Sequence, residues 1–320
     1  MLSRKKLFGT GFLLFFSVGL FINALYQTSH ELFLSKLTTE EELPFFIAQI
    51  NQSQPLHLIP ASEPPENCLI TAESALIAEI SKGGERKILF EKNAEQVMPL
   101  ASLSKLMAAI VASEFYPEDH LIKVSKRAVE QKEDFGSLKA GEMFKASALI
   151  EVMLIESSND AAFALAEEAG IDGFNFLMNK KGEEMGLKNT GFYNASGLDT
   201  MDDKLAEKSN YSTAQDLLKL GEHLLKKPGI LEICQEKERA IYLSDGRFHH
   251  LAESTNPLLL EMPKIVIAGK TGFTEEAGKC LFIISKGKLA HSYRVNIILN
   301  SEERTADMKK LLTCDSFISE

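Results

Sequence analysis

Three short stretches carry residue types that can do chemistry together. Ser102 and Lys105 stand three apart in the run Pro99-Leu-Ala-Ser-Leu-Ser-Lys-Leu-Met-Ala-Ala-Ile-Val111. On a helix, side chains at i and i+3 share a face. A serine hydroxyl attacks a carbonyl only when something takes its proton. A lysine amine one turn on can do so if burial or a nearby cation keeps it neutral. The start of a helix also offers unpaired backbone N–H groups where negative charge develops. The second stretch is Ser157-Ser158-Asn159, lying between two apolar runs, so that a hydroxyl and an amide would project from an interhelical turn. The third is Lys270-Thr271-Gly272, at the end of the strand-like Ile265–Gly269.

Each stretch also has a plainer reading. At average residue usage, Ser-x-x-Lys should arise about once by chance in a chain this long. It occurs three times, the others being Ser3…Lys6 and Ser285…Lys288. Ser, Asn and Asp are ordinary helix-start residues, so 157–159 reads as a cap and turn, and Ser254-Thr255-Asn256 repeats the pattern. Lys-Thr-Gly occurs once, against a chance expectation of roughly 0.1.

A length of 320 residues allows one large domain or two small ones. The net charge of −10 argues against nucleic acid as a partner. The four cysteines, Cys68, Cys234, Cys280 and Cys314, lack the paired C-x-x-C spacing of a zinc site, and their disulfide pairing stays open. Arg4, Lys5 and Lys6 precede Leu7 to Leu25, which holds no charge. That run nearly matches the ~20 residues a membrane-spanning helix needs, and the basic flank predicts its N-terminus inside. A cleaved signal peptide is the competing reading, with Ala24 at −1 but Ile22 a poor −3 residue. Either way the remainder is exported. Residues 26–66, with Glu40 to Glu42 and five prolines, read as a solvated stalk. The expected organisation is therefore 1–25 anchor or signal peptide, 26–66 linker and 67–315 catalytic domain.

The elements that must position the three stretches follow in order. Ser74–Ile80 and Lys87–Glu91 read as a hairpin, followed by the Ser102 helix. Residues 116–146 are polar and irregular. Helices are expected over Ser147–Ile155, Ala161–Ala169, Gly173–Met185 and Ser212–Lys226, the last opened by Ser212 as N-cap with Gln215 at N3. A strand pair flanks Asp245-Gly246. Strands Cys280–Ser285 and Ser292–Leu299 and a helix to about Leu312 close the chain. The fold class is α/β (α+β): one antiparallel sheet of about five strands drawn from both chain ends, with helices on both faces.

Ser-x-x-Lys, Ser-x-Asn and Lys-Thr-Gly in this order form the motif set of class A β-lactamases and penicillin-binding proteins. The sequence closely resembles the low-molecular-mass penicillin-binding proteins, the serine D-alanyl-D-alanine carboxypeptidases, from about Glu73 to Leu312. Phe90-Glu-Lys-Asn, Ser157-Ser-Asn159-Asp-Ala-Ala, Ser196-Gly-Leu-Asp, Tyr211-Ser-Thr-Ala, Thr255-Asn-Pro-Leu-Leu and Gly269-Lys-Thr-Gly-Phe-Thr carry the likeness beside the nucleophile stretch. Two positions depart from it: Ser158 stands where these enzymes often have Gly, and Phe273 where several have His. The chain ends soon after its last helix, without the C-terminal β-domain and amphipathic helix of many relatives. The N-terminal segment is thus the expected membrane attachment, with the catalytic domain on the extracytoplasmic face.

The resemblance implies the roles. Ser102 would attack the carbonyl between the two D-alanines of a peptidoglycan stem peptide, and Lys105 would take its proton. Ser157 would relay a proton to the leaving amine, while Asn159 holds Lys105 and the substrate. Lys270, Thr271, Gly272 and Phe273 would bind substrate, Lys270 drawing its carboxylate and helping to keep Lys105 neutral. The backbone N–H groups of Ser102 and Phe273 would form the oxyanion hole. No metal or cofactor is implied, and β-lactams would act as acylating inhibitors. The alternatives are an endopeptidase on peptidoglycan crosslinks, a β-lactamase and a catalytically silent peptidoglycan-binding protein. A β-lactamase would need an extra carboxylate, and no Glu is followed four residues later by Asn between Asn159 and Lys270.

Overall fold

Burial on both faces marks the central strands of the domain. The computed structural model describes residues 69–132, 136–201 and 207–314, so the expected anchor and stalk lie outside the described residues. Strand β1 (Ser74–Ile80) is buried along its whole length, whereas its partner β2 (Arg86–Lys92) is largely exposed. Charged side chains on β2 suit a sheet edge, where they discourage pairing with another chain. A short strand β3 (Met98–Pro99) leads into a 3-10 turn, Ala101–Leu103, and then helix α1 (Ser104–Phe115). Residues Ser104 to Ala112 of α1 are all buried. A helix apolar on every side belongs in the middle of a core.

The polar stretch expected to be irregular contains a small antiparallel pair, β4 (Leu121–Lys123) and β5 (Met143–Lys145). Helices α2 (Ala146–Ile155), α3 (Asn159–Glu168) and α4 (Ile171–Glu184) follow within one or two residues of their expected starts. Short strands β6 (Thr200–Met201), β7 (Glu207–Lys208) and β8 (Tyr211–Ser212) precede α5 (Ala214–Leu224). The N-cap of α5 is Thr213, not Ser212: the Thr213 hydroxyl accepts from Asp216 N, and Ser212 pairs in β8 with Met98. Backbone pairing has taken the residue that the capping pattern had claimed.

Helix α6 (Pro228–Cys234) comes next, then the hairpin β9 (Glu238–Tyr242) and β10 (Phe248–Glu253), the single turn α7 (Leu258–Glu261), strands β11 (Val266–Thr274), β12 (Gly278–Lys286) and β13 (Tyr293–Ser301), and helix α8 (Arg304–Thr313). The main sheet is antiparallel with order β11-β12-β13-β1-β2, so the two ends of the domain meet at its centre. Successive strand residues face opposite sides. Leu76, Ala78, Phe282 and Val295 join one core with α1 and α5, while Ala75, Ile77, Ile283 and Ile298 join a second with Met308 and Leu311 of α8. Helices thus cover both faces.

Strand β11 carries Lys270-Thr271-Gly272, as expected, and extends past it. It runs on through Thr274, with Lys270 opposite Phe282 and Thr271 opposite Leu281. Among the cysteines, Cys234 and Cys280 are buried free thiols and Cys314 is disulfide-bonded.

Candidate active site

Backbone strain marks two of the three motif stretches. Ala101, just before Ser102, has φ +47°, and Ser157 has φ +67°, a left-handed conformation that costs non-glycine residues free energy. Both bends are held by tight packing. The 3-10 turn lies against β11, where a Cβ on Gly272 would sit 3.1 Å from Leu100 O. On its other side a Cβ on Gly197 would fall 1.9 Å from Ala101 O, at φ +84°. Glycine at both positions lets three backbones converge on Ser102.

Lys105 is fully buried at the start of α1. Its Nζ donates to Ser102 Oγ at 2.8 Å, to Asn159 Oδ1 at 2.7 Å and to Ser196 O at 2.7 Å. Asn159 opens α3, and its amide nitrogen donates to Lys132 O. Ser158 plays the part of a cap: its hydroxyl accepts from Ala161 N, at the start of α3. Ser157 turns towards β11, and its Oγ accepts from Lys270 Nζ at 2.8 Å.

Lys270 is buried on β11 and donates also to Thr271 O at 3.0 Å. Burial pulls its ammonium down to about 7, with the charge of Arg304 acting in the same direction. Thr271 Oγ1 lies 2.6 Å from Thr255 Oγ1. These groups open on a cavity of about 570 Å³ that also meets Leu198, Thr274, Lys279 and Arg304. Among the described residues its lining holds two cations and no carboxylate.

All eight residues singled out from the sequence therefore cluster: Ser102, Ser157, Asn159, Thr271, Gly272 and Phe273 line the cavity, while Lys105 and Lys270 stand directly behind it. Phe273 is half exposed at the rim. Three contributors had gone unassigned. Ser196 enters through its carbonyl, which residue type does not encode. Arg304 sits at the N-terminus of α8 and donates to Gly272 O at 2.6 Å; no local pattern distinguishes it from a surface helix start. Thr255 belongs to the stretch that looked like a chance copy of Ser-x-Asn.

The family model described as D-alanyl-D-alanine carboxypeptidase matches residues 60–302. The chain belongs to this family. Among its relatives, D-alanyl-D-alanine endopeptidase of Pseudomonas aeruginosa is 28% identical over 232 residues, 70% of this chain and 71% of that one. D-alanyl-D-alanine carboxypeptidase DacA of Escherichia coli K12 is 30% identical over 260 residues, 76% of this chain. The chain spans 60% of DacA's length. A penicillin-binding protein of Listeria monocytogenes, solved with cefotaxime bound, superposes with a TM-score of 0.65 at 29% identity, covering 78% of this chain and 98% of that one. The mixed fold, its five-stranded antiparallel sheet and its family were all legible in the motif order.

Proposed function

We propose that this chain is a serine D-alanyl-D-alanine carboxypeptidase, removing the terminal D-alanine of peptidoglycan stem peptides through an acyl-Ser102 intermediate. The observation that carries this reading is the set of partners around Lys105 Nζ. An ammonium has three donors, and among the described residues Ser102 Oγ, Asn159 Oδ1 and Ser196 O accept from it. When one proton leaves, the two remaining donors stay on Asn159 and Ser196 O, and the lone pair faces the Ser102 hydroxyl. The amine is then aimed to receive the serine proton as Ser102 attacks.

The other roles follow. Ser157, bonded to Lys270, passes a proton to the departing D-alanine nitrogen. Lys270, Thr271 and Arg304 receive the substrate's terminal carboxylate in a cavity whose described lining offers it no like charge. The backbone N–H groups of Ser102 and Phe273 bind the oxyanion, each donor worth about 2.7–4 kcal/mol in comparable sites. Water then frees the acyl-enzyme. β-Lactams imitate the D-Ala-D-Ala end and remain on Ser102.

Arg304→Ala is expected to raise KM for a D-Ala-D-Ala peptide about tenfold, the worth of one charge-assisted hydrogen bond, with kcat nearly kept. Steady-state kinetics check this; an unchanged KM removes Arg304 from carboxylate binding. A second expectation concerns pH. Lys270 is charged below about 7 and neutral above it in the free enzyme, so its pull on the carboxylate fades as pH rises. A bound carboxylate holds the proton on. The plot of kcat/KM should therefore fall above about pH 7, whereas kcat should not share that limb.

The deciding assay compares D-alanine release from a pentapeptide with cleavage of a crosslinked dimer. Predominant D-alanine release is expected. Cleavage of the dimer alone would give the second reading, an endopeptidase, which the name of the Pseudomonas relative favours. For localisation, residues 1–25 would anchor the chain and 26–66 would space the domain, 67–315, from the membrane on the extracytoplasmic side. Among the described residues no helix is long and apolar enough to cross a membrane. A disulfide at Cys314 suits an oxidising compartment and supports export.

A further inference from the structure

Helix α8 brings Arg304 to the cavity, yet its own N-cap residue, Glu303, makes no side-chain cap. Lys279 reaches Glu303 at 2.9 Å, but the two side chains are 42% and 70% exposed, and so open a pair holds little. The firm hold comes from Asp307, one turn after Arg304 and buried. Its Oδ2 accepts four bonds: from Thr71 N at 3.0 Å, Thr71 Oγ1 at 2.7 Å, Ala72 N at 3.0 Å and Ser301 Oγ at 2.7 Å. An acidic side chain in the first turn of a helix can accept from that helix's own free N–H groups. Here it accepts instead from the chain that leads into β1.

The link runs both ways. Thr71 Oγ1, which donates to Asp307, also accepts from Glu302 N at 3.1 Å, just before α8 begins. Ser301 Oγ likewise accepts from Glu303 N at 3.0 Å. Two residues beyond Thr71, Glu73 N donates to Asn300 O, and the chain then enters β1, which pairs with strands on both sides. The first turn of α8 is thus referred to the centre of the sheet. From that turn Arg304 Nη1 donates to Gly272 O at 2.6 Å, next to Thr271. We propose that Asp307 is a positioning residue for substrate binding: with Thr71, Ala72 and Ser301 it buckles the start of α8 to the lead-in of β1, and so sets where the Arg304 guanidinium stands in the cavity.

The surroundings support this assignment. Burial alone would raise the Asp307 carboxyl, but the hydrogen bonds from Thr71 and Ser301 outweigh it and hold the group below the usual carboxylate range. The acceptor is therefore charged, and bonds to a charged acceptor are the stronger kind. The remainder of α8 is held separately. Met308, Leu311 and Leu312 sit in the core against the sheet, and Lys309 pairs with Glu261 of α7. Opening the buckle would then shift the first turn, with Arg304 on it, and leave the helix in place.

The proposal rests on the reading of Arg304 as a receiver of the substrate carboxylate, and the test separates the two. Steady-state D-alanine release from a pentapeptide is measured for the full chain, Thr71→Val, Thr71→Ser, Asp307→Asn, Arg304→Ala and the double variant Thr71→Val/Arg304→Ala, each with its Tm. Thr71→Val removes one hydroxyl from an exposed residue, so it remains informative should Asp307→Asn fail to fold. Expected for Thr71→Val and Asp307→Asn is a KM raised about fivefold with kcat kept, within the range of coupling inside one hydrogen-bond network. Thr71→Ser, which restores the hydroxyl, should behave as the wild type. In the Arg304→Ala background Thr71→Val should add nothing, because the group it positions is gone. An unchanged KM in Thr71→Val, or the same rise with Arg304 present and absent, overturns the buckle alone. An unchanged KM in Arg304→Ala overturns the reading of Arg304 and the buckle with it.

Discussion

Ser102→Ala is expected to lower D-alanine release about 10⁶-fold, the scale seen when a nucleophile that works as a unit with its base is removed. The loss should be confined to the chemical step. Ser102 contributes one hydroxyl to the network, while Lys105 keeps its bonds to Asn159 and Ser196 O, and the cavity walls are otherwise unchanged. Penicillin should still enter reversibly, with no covalent adduct. The ammonium of Lys105 would lose one of three acceptors, and a water in the space left by the hydroxyl can replace it. Stability should therefore change little. Titration of the variant with a penicillin, followed by mass and by protein fluorescence, separates binding from acylation. Residual turnover within tenfold of the wild type would place the nucleophile elsewhere.

Lys270→Met is expected to have the largest effect on stability, and in the favourable direction. Burial holds Lys270 near 7 in the folded chain, against ~10.4 in an unfolded one. Between those values the unfolded chain binds more protons than the folded chain, so wild-type stability climbs with pH across that window. At pH 7 and below, folding bears nearly the whole cost of a buried ammonium, about 4 kcal/mol. Methionine fills the same space without it, but leaves Ser157 Oγ and Thr271 O without the Lys270 donor, offsetting roughly half. A net gain of about 2 kcal/mol should raise Tm by roughly 4–8 °C at pH 7 and by progressively less towards pH 10. Carboxylate capture should fall about 10²-fold in the same variant. Calorimetry across pH reads the first effect and kcat/KM the second. A variant less stable than the wild type at pH 7 would contradict the assigned cost. The pairing of lost activity with gained stability is what a strained, buried functional group produces.

How far the sequence could be read depends on where each contact is encoded. Ser102, Lys105, Ser157, Asn159 and Lys270 announce themselves because side-chain type and spacing carry the chemistry. Strand β1 was legible to the residue, since a mostly apolar run, broken only by Glu79 near its end, lies between turn signals and leaves little choice. The Ser212–Thr213 cap slipped by one residue, because a long-range strand pair with Met98 decided which hydroxyl was free to cap. Ser196 O and Arg304 reach the site through tertiary packing alone. The extension of β11 past Gly272 has the same origin: a strand's end is set by its partner, and β12 pairs as far as Thr274. The short helix α7 follows Pro257 within a segment too brief for periodicity to register.

The central claim is that Ser102 is acylated with Lys105 as its base, and the most direct measurement is the mass of the exported domain after exposure to a penicillin. The expected result is a single adduct of one penicillin, located by peptide fragmentation on Ser102 and lost in Lys105→Ala. An adduct on any other residue, or none while the penicillin survives intact, would contradict it.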